Sequence, residues 1–168
     1  SVDVQTASAF AGKYVETCRE LAEAATFVSR PEIARHATDV ARKHVAQWRE
    51  LYLAEWANVY GIHAITNLLL GDVLFTAEEQ TRAFEKVFAD RRTRWTNTPY
   101  FGSHILTALA KLGRHTEAVE MLHDYWGTMI DAGATSVWEE WDPTVSLPVN
   151  AQPPQLGPPA TWGALSLI

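Results

Sequence analysis

Pro99-Tyr100-Phe101-Gly102-Ser103-His104-Ile105-Leu106-Thr107-Ala108-Leu109-Ala110-Lys111-Leu112-Gly113-Arg114-His115-Thr116 reads as one helix, a glycine stop and the start of the next helix. Proline suits the first turn of a helix, and Ile105, Leu106 and Leu109 give that helix an apolar side. Leu112-Gly113 stops it, and the polar turn Arg114-His115-Thr116 leads into a second helix running from Glu117 to Met129. The same order occurs just upstream. A low-charge segment from Val59 to Leu70 ends at Gly71, which reads as a left-handed stop. Thr76-Ala77-Glu78-Glu79 then reads as a capping box. It opens a helix with Phe84, Val87 and Phe88 inward and Glu78, Glu79, Arg82, Glu85 and Lys86 in water. Two αα-hairpins in succession follow from this pattern.

Further outward, Phe10, Tyr14, Thr17/Cys18, Leu21 and Ala25 recur at helical spacing and predict one apolar stripe on a helix from Val4 to Phe27. Ser29-Arg30-Pro31-Glu32 reads as a capping box with proline in the first turn. The helix it opens has an apolar side through Ile33, Ala37, Val40, Val45, Trp48, Leu51 and Tyr52. No alternating run bounded by turn residues predicts a strand. The expected fold is all-α, with antiparallel αα-hairpins in an arc. Inner helices lie near 4–27, 59–70 and 99–112, and outer ones near 32–56, 76–92 and 116–130. Residues 1–130 form three hairpins, and 131–168 form a Trp- and Pro-rich loop of the same domain.

At 168 residues, 47% hydrophobic and 20% charged, the chain fits one globular, soluble domain. A formal charge of -6 supplies no basic stripe for phosphates, so nucleic acid is not an expected partner. No apolar run nears the ~18 residues of a membrane span, and no basic-then-apolar leader pattern is present. No membrane partner is expected, and the compartment stays open between cytoplasm and periplasm. A chain beginning at Ser1 leaves room for a removed leader or a longer parent. The lone Cys18 forms no internal disulfide and reads as a small core residue. The pairs His36/His44 and His115/His123 lie on charged faces at a spacing that makes no two-histidine site. No metal and no other cofactor is expected.

From Asp131 the character changes. Pro143, Pro148, Pro153, Pro154, Pro158 and Pro159 preclude regular helix, and charge nearly vanishes. Within this long loop, Gly133-Ala134-Thr135-Ser136-Val137-Trp138-Glu139-Glu140-Trp141-Asp142 sets three carboxylates beside two indoles. A carboxylate can activate water or donate a proton, and an indole offers a flat face to the C–H surface of a sugar ring.

That segment, preceded by Trp126-Gly127-Thr128-Met129-Ile130-Asp131-Ala132, resembles the Gly-Ala-Thr-Thr-x-Trp-Glu-x-Trp segment of bacterial α-L-rhamnosidases. Their catalytic domain is a six-hairpin (α/α)6 toroid. Tyr100 to Leu106, Ala108 to Arg114 and Glu117-Ala118 are similar to the helix, glycine turn, helix unit that precedes the motif. The likeness covers most of residues 58–142. It implies that the chain is part of such a toroid and that Glu139 is the general base of an inverting hydrolysis. A protonated second carboxyl group is then needed roughly 6.5–9.5 Å away. In the family that acid comes from an earlier hairpin, and no matching acidic cluster is found in this chain. Three hairpins are half of six, and Gly163 to Ile168 resembles the run leading into a His-Gly-Trp or His-Ala-Trp element. The resemblance therefore implies a C-terminal part of a catalytic domain, inactive alone. Its partners are a carbohydrate substrate and either the remaining hairpins or further copies of itself.

Around Glu139, the residues Trp138, Trp141, Glu140, Asp142, Tyr100 and His104 are the candidate substrate contacts. Glu139 has a plainer reading, a hydrogen-bonded carboxylate holding the loop. One of Trp138 and Trp141 packs the loop to the helices while the other faces the cavity, and spacing does not say which. Tyr100, Phe101 and His104 either line a cavity or pack in a core with His104 bonded to a carbonyl; His63 has the same two readings. Trp48 and Trp126 read as core. The competing function is a non-catalytic helical-hairpin scaffold or carbohydrate-binding protein. Varied helix lengths and the Trp-bearing tail argue against a fixed-period repeat. A serine hydrolase would need a Gly-x-Ser-x-Gly elbow, which is lacking.

Overall fold

The computed structural model describes residues 3–58, 61–95 and 98–143, and all of their regular structure is helical. In chain order these are α1 (Val4–Phe27), α2 (Pro31–Tyr52), a 3₁₀ segment (Leu53–Asn58), α3 (Ile62–Leu70), and α4 (Ala77–Ala83) prolonged by a π turn (Phe84–Phe88). A 3₁₀ turn (Arg91–Arg94), α5 (Pro99–Lys111), α6 (His115–Met121), a second π turn (Leu122–Gly127) and α7 (Thr128–Asp131) follow. The all-α class is thus as expected. The second helix gives way to 3₁₀ geometry after Tyr52, and the fourth ends at Phe88. The expected start of the third helix at Val59, and the loop from Thr144 onward, lie outside the described residues.

Two compact units divide at Ala89/Asp90. In the first, α1 packs on both α2 and α3, and α3 meets the π turn after α4. The stripe expected on α1 holds only in part: Cys18 and Ala25 are buried, but Phe10, Tyr14 and Leu21 are 73%, 48% and 51% exposed. The buried rail is Ser8, Gly12, Val15, Cys18 and Ala25. Small residues win there because the partner helices come to backbone contact: a Cβ on Gly12 would lie 2.3 Å from the Asn67 carbonyl carbon. On α2 the expected side is largely the buried one: Ala37 and Trp48 are buried and Val40, Val45 and Tyr52 half-buried, while Ile33 and Leu51 near its ends are exposed. The Trp48 indole N–H donates to the buried Ser8 hydroxyl at 3.1 Å.

The stops also differ in detail from their expected form. Ser29 caps no helix; it is the left-handed residue after α1, with φ 56°, and Arg30 precedes α2 without a side-chain cap. Ser29 and Arg30 N–H donate to the Thr26 and Ala25 carbonyls, closing α1 as a Schellman motif. Gly71 is not left-handed either, at φ -74°; Asp72 takes that conformation at φ 52°. Glycine at 71 answers a close approach instead, since a Cβ there would sit 2.5 Å from the Gly12 carbonyl oxygen. The Thr76/Glu79 capping box forms as read. Glu79, however, is not in water. It is 9% exposed and takes both Arg49 guanidinium arms, at 3.1 and 2.8 Å.

In the second unit α5 packs on α6, and Gly113 at φ 69° closes α5 as expected. Buried Arg94 donates to the Glu117 carbonyl and the Glu120 carboxylate, and Arg91 pairs with Asp124. These contacts tie the 3₁₀ turn to the α6 end of the unit.

Candidate functional site

The helix formed by α6, its π turn and α7 delivers the chain to the motif, and Gly133 ends it. With φ 96°, Gly133 allows its own N–H and that of Ala134 to reach the Ile130 and Met129 carbonyls, a second Schellman closure. The chain then folds back along the helix it has just left. Tyr125, Met129 and Trp141 are buried together, with Trp95, Trp126, Ala134, Val137 and Trp138 packed against them.

Specific bonds hold this return. Trp138 N–H donates to the Met129 sulfur at 3.4 Å, and the Trp141 indole N–H donates to the Thr128 hydroxyl at 3.1 Å. The Tyr125 hydroxyl donates to the Trp141 carbonyl at 3.2 Å. Trp138 and Trp141 meet edge to face, with centroids 5.0 Å apart and planes at 68°. Of the two indoles, Trp141 anchors the loop, being 8% exposed, and Trp138 is half-buried. Between them Glu139 and Glu140 are exposed, as is Asp142 beyond. Burial pushes the Tyr125 phenol well above its usual range, and the Asp142 carboxylate charge adds to the shift. Tyr125 therefore acts as a neutral donor.

The α5 candidates meet one another. The Tyr100 and His104 rings stand edge to face at 5.2 Å, with Phe101 and His104 at 5.5 Å; Tyr100 is 60% exposed and His104 half-buried. The same helix reaches the loop's core through Gly102, where a Cβ would come 2.8 Å from the Trp126 ring. Trp126, half-buried rather than core, packs in turn against the Tyr125–Met129–Trp141 cluster. His63 lies on α3 in the first unit, largely exposed, with its pKa pulled down by partial desolvation.

Sequence reading missed Tyr125, Thr128 and Met129. Their only signal is an i, i+3, i+4 spacing on the helix just before the glycine stop, which core residues share. His115 and His123 line a shallow groove of about 560 Å³ with Arg91, Thr116, Val119 and Glu120. No group of three or more His, Cys, Asp or Glu suited to a metal ion occurs among the described residues. Among those residues, too, no helix is long and apolar enough to cross a membrane.

The family model described as the bacterial alpha-L-rhamnosidase 6 hairpin glycosidase domain matches residues 4–155. No curated protein and no solved structure matches the chain.

Proposed function

Because the chain belongs to the bacterial α-L-rhamnosidase six-hairpin glycosidase family, we propose that it carries the general-base part of an inverting glycoside hydrolase site, with Glu139 as the base. The substrate is a carbohydrate with a terminal α-L-rhamnosyl or related residue. Glu139 takes a proton from water as the water oxygen bonds to the anomeric carbon. The bond to the leaving oxygen breaks on the opposite face, and a protonated carboxyl group supplies the proton that oxygen needs.

The observation that supports this reading is the exposure of Glu139 between two indoles that are themselves fixed. A carboxylate that merely held the loop would be turned inward onto it. Here main-chain and indole N–H groups, the Tyr125 hydroxyl and the Met129 sulfur do the holding. Trp138, half-buried at the edge, offers a face for a sugar ring; Glu140, Asp142, Tyr100 and His104 are the further substrate contacts in this reading.

The general acid comes from another hairpin. Asp3 is occupied as the N-cap of α1, accepting from Gln5 and Thr6 N–H, and Glu16 pairs with Lys13. Glu140 adjoins Glu139, and a neighbour in a pinned loop does not reach across a sugar. In this reading the chain supplies three hairpins, and a six-hairpin ring takes three more from further chain or from a second copy. The exposed apolar residues of α1 and α2 fit that need. They also fit a hairpin scaffold, which gives no reason to fix two indoles around an exposed carboxylate.

Glu139→Gln tests the reading. Turnover of an aryl α-L-rhamnoside by the active six-hairpin form should fall about 10²–10⁴-fold with the fold unchanged. Unchanged turnover would remove Glu139 as the base.

A further inference from the structure

Trp141 is held at two independent points by residues one helical turn apart. Thr128 directs its own hydroxyl proton to the Asp124 and Tyr125 carbonyls, at 2.7 and 3.0 Å. A lone pair of the same oxygen is thereby turned outward and accepts the Trp141 indole N–H at 3.1 Å. Tyr125, with no exposed surface, donates to the Trp141 carbonyl at 3.2 Å. Ring and main chain of one residue are fixed together. Trp138, three residues earlier, is fixed by its edge on Trp141 and by its N–H on the Met129 sulfur. Only Glu139 and Glu140 lie between these clamps, so their register is set by the helix beneath rather than by bonds of their own.

We propose that Tyr125 and Thr128 are positioning residues of the Glu139 site, fixing Trp141 so that the Glu139 carboxylate stands at a set place beside the indole edge. The proposal rests on the reading of Glu139 as base. It adds two side chains outside the Trp-Glu-x-Trp motif, chosen by geometry alone. A reacting carboxylate displaced by about 1 Å loses up to about 10²-fold in rate, so a clamp of this kind carries functional weight without touching substrate.

Conservative variants separate the roles. Thr128→Val keeps size and removes the acceptor, Thr128→Ser keeps it, Tyr125→Phe removes the donor but leaves the ring in the core, and Trp141→Phe removes the indole N–H. Amide exchange of the 134–142 segment, measured on the chain itself, should speed up about tenfold in Thr128→Val, the equivalent of one lost hydrogen bond. Thr128→Ser should stay near the parent, and adding Thr128→Val to Trp141→Phe should change exchange little beyond Trp141→Phe alone, because the indole bond that Thr128 accepts is already lost. In the active six-hairpin form, Thr128→Val and Tyr125→Phe should lower kcat about 10- to 100-fold with KM within about twofold, and Thr128→Ser should restore it. Unchanged exchange in Thr128→Val and Tyr125→Phe overturns the clamp. Faster exchange with unchanged kcat, while Glu139→Gln remains inactive, overturns positioning and leaves Glu139 as base. Full activity in Glu139→Gln removes both.

Discussion

Glu79 shows how much one side chain can carry when a cap and an ion pair coincide. Desolvation raises its pKa, but the Arg49 hydrogen bonds, the Thr76 and Phe75 N–H groups and the Arg49 charge together outweigh that and hold it below its usual range. A carboxylate whose folded pKa is depressed adds stability above its unfolded pKa and loses it as pH falls through the folded one. The Arg49–Glu79 contribution is therefore complete near neutrality and fades only in acid, below the ordinary carboxylate range. Glu79→Ala should cost about 2 kcal/mol at neutral pH, since it removes the carboxylate partner of the half-buried Arg49 guanidinium and one half of the α4 capping box. The loss should shrink in acid, and denaturant melts at neutral and acidic pH would show both. The capping box was legible because its partners are three residues apart. The ion pair was not, because Arg49 lies thirty residues away on a helix whose sequence gives no sign of facing Glu79.

Gly12 and Gly71 make the same point about backbone. Each reads locally as a helix position or a stop, yet each is glycine because α1 and the end of α3 touch through main-chain atoms. Gly12→Ala should destabilise the first unit by about 3 kcal/mol, by forcing the helices apart. A melting temperature equal to that of the parent would mean that α1 and α3 do not meet through their main chains.

At the scale of elements, periodicity located the helices but caught only one edge of the buried face of α1, at Cys18 and Ala25. Phe10, Tyr14 and Leu21 have the spacing of a core stripe, and so do Ser8, Gly12, Val15, Cys18 and Ala25, a short rotation away. Hydrophobicity favours the first set. Close packing requires the second, because only small residues let α2 and α3 approach on that side. The bulky set is left at the surface, where the Tyr14 ring meets His44 of α2 at 4.7 Å and Phe27 is 90% exposed. In the dilute, dissociated chain, Phe10→Ser and Phe27→Ser should consequently change folding stability by no more than about 0.5 kcal/mol, as surface substitutions do. A loss of several kcal/mol in denaturant unfolding at that dilution would show that these rings pack within the single chain.

For the molecule as a whole, we propose that neighbouring hairpins cover the exposed apolar side chains of α1 and α2. Isolated surface hydrophobes are ordinary, but Phe10, Phe27, Val28 and Leu51 all belong to one hairpin. The chain should self-associate as concentration rises, and the paired Phe10→Ser and Phe27→Ser changes should weaken that association. Light scattering that reports a monomer at every concentration would count against hairpins seeking partners. The candidate base was legible from the motif, since Trp138, Glu139 and Trp141 lie together in one short stretch of sequence. Its support by Tyr125 and Thr128 was not, because hydrogen bonds from a helix to a returning loop leave no pattern in either segment.

The claim that Glu139 serves the water side of an inverting site is tested most directly by replacing the base and the water together. Glu139→Ala in the active six-hairpin form, given an aryl α-L-rhamnoside and sodium azide, removes the need for a base, because azide attacks without losing a proton. Proton NMR of the product should show β-L-rhamnosyl azide, formed much faster than the same variant hydrolyses the substrate in water. No acceleration by azide, or an α-configured azide, would show that Glu139 is not the base of an inverting site.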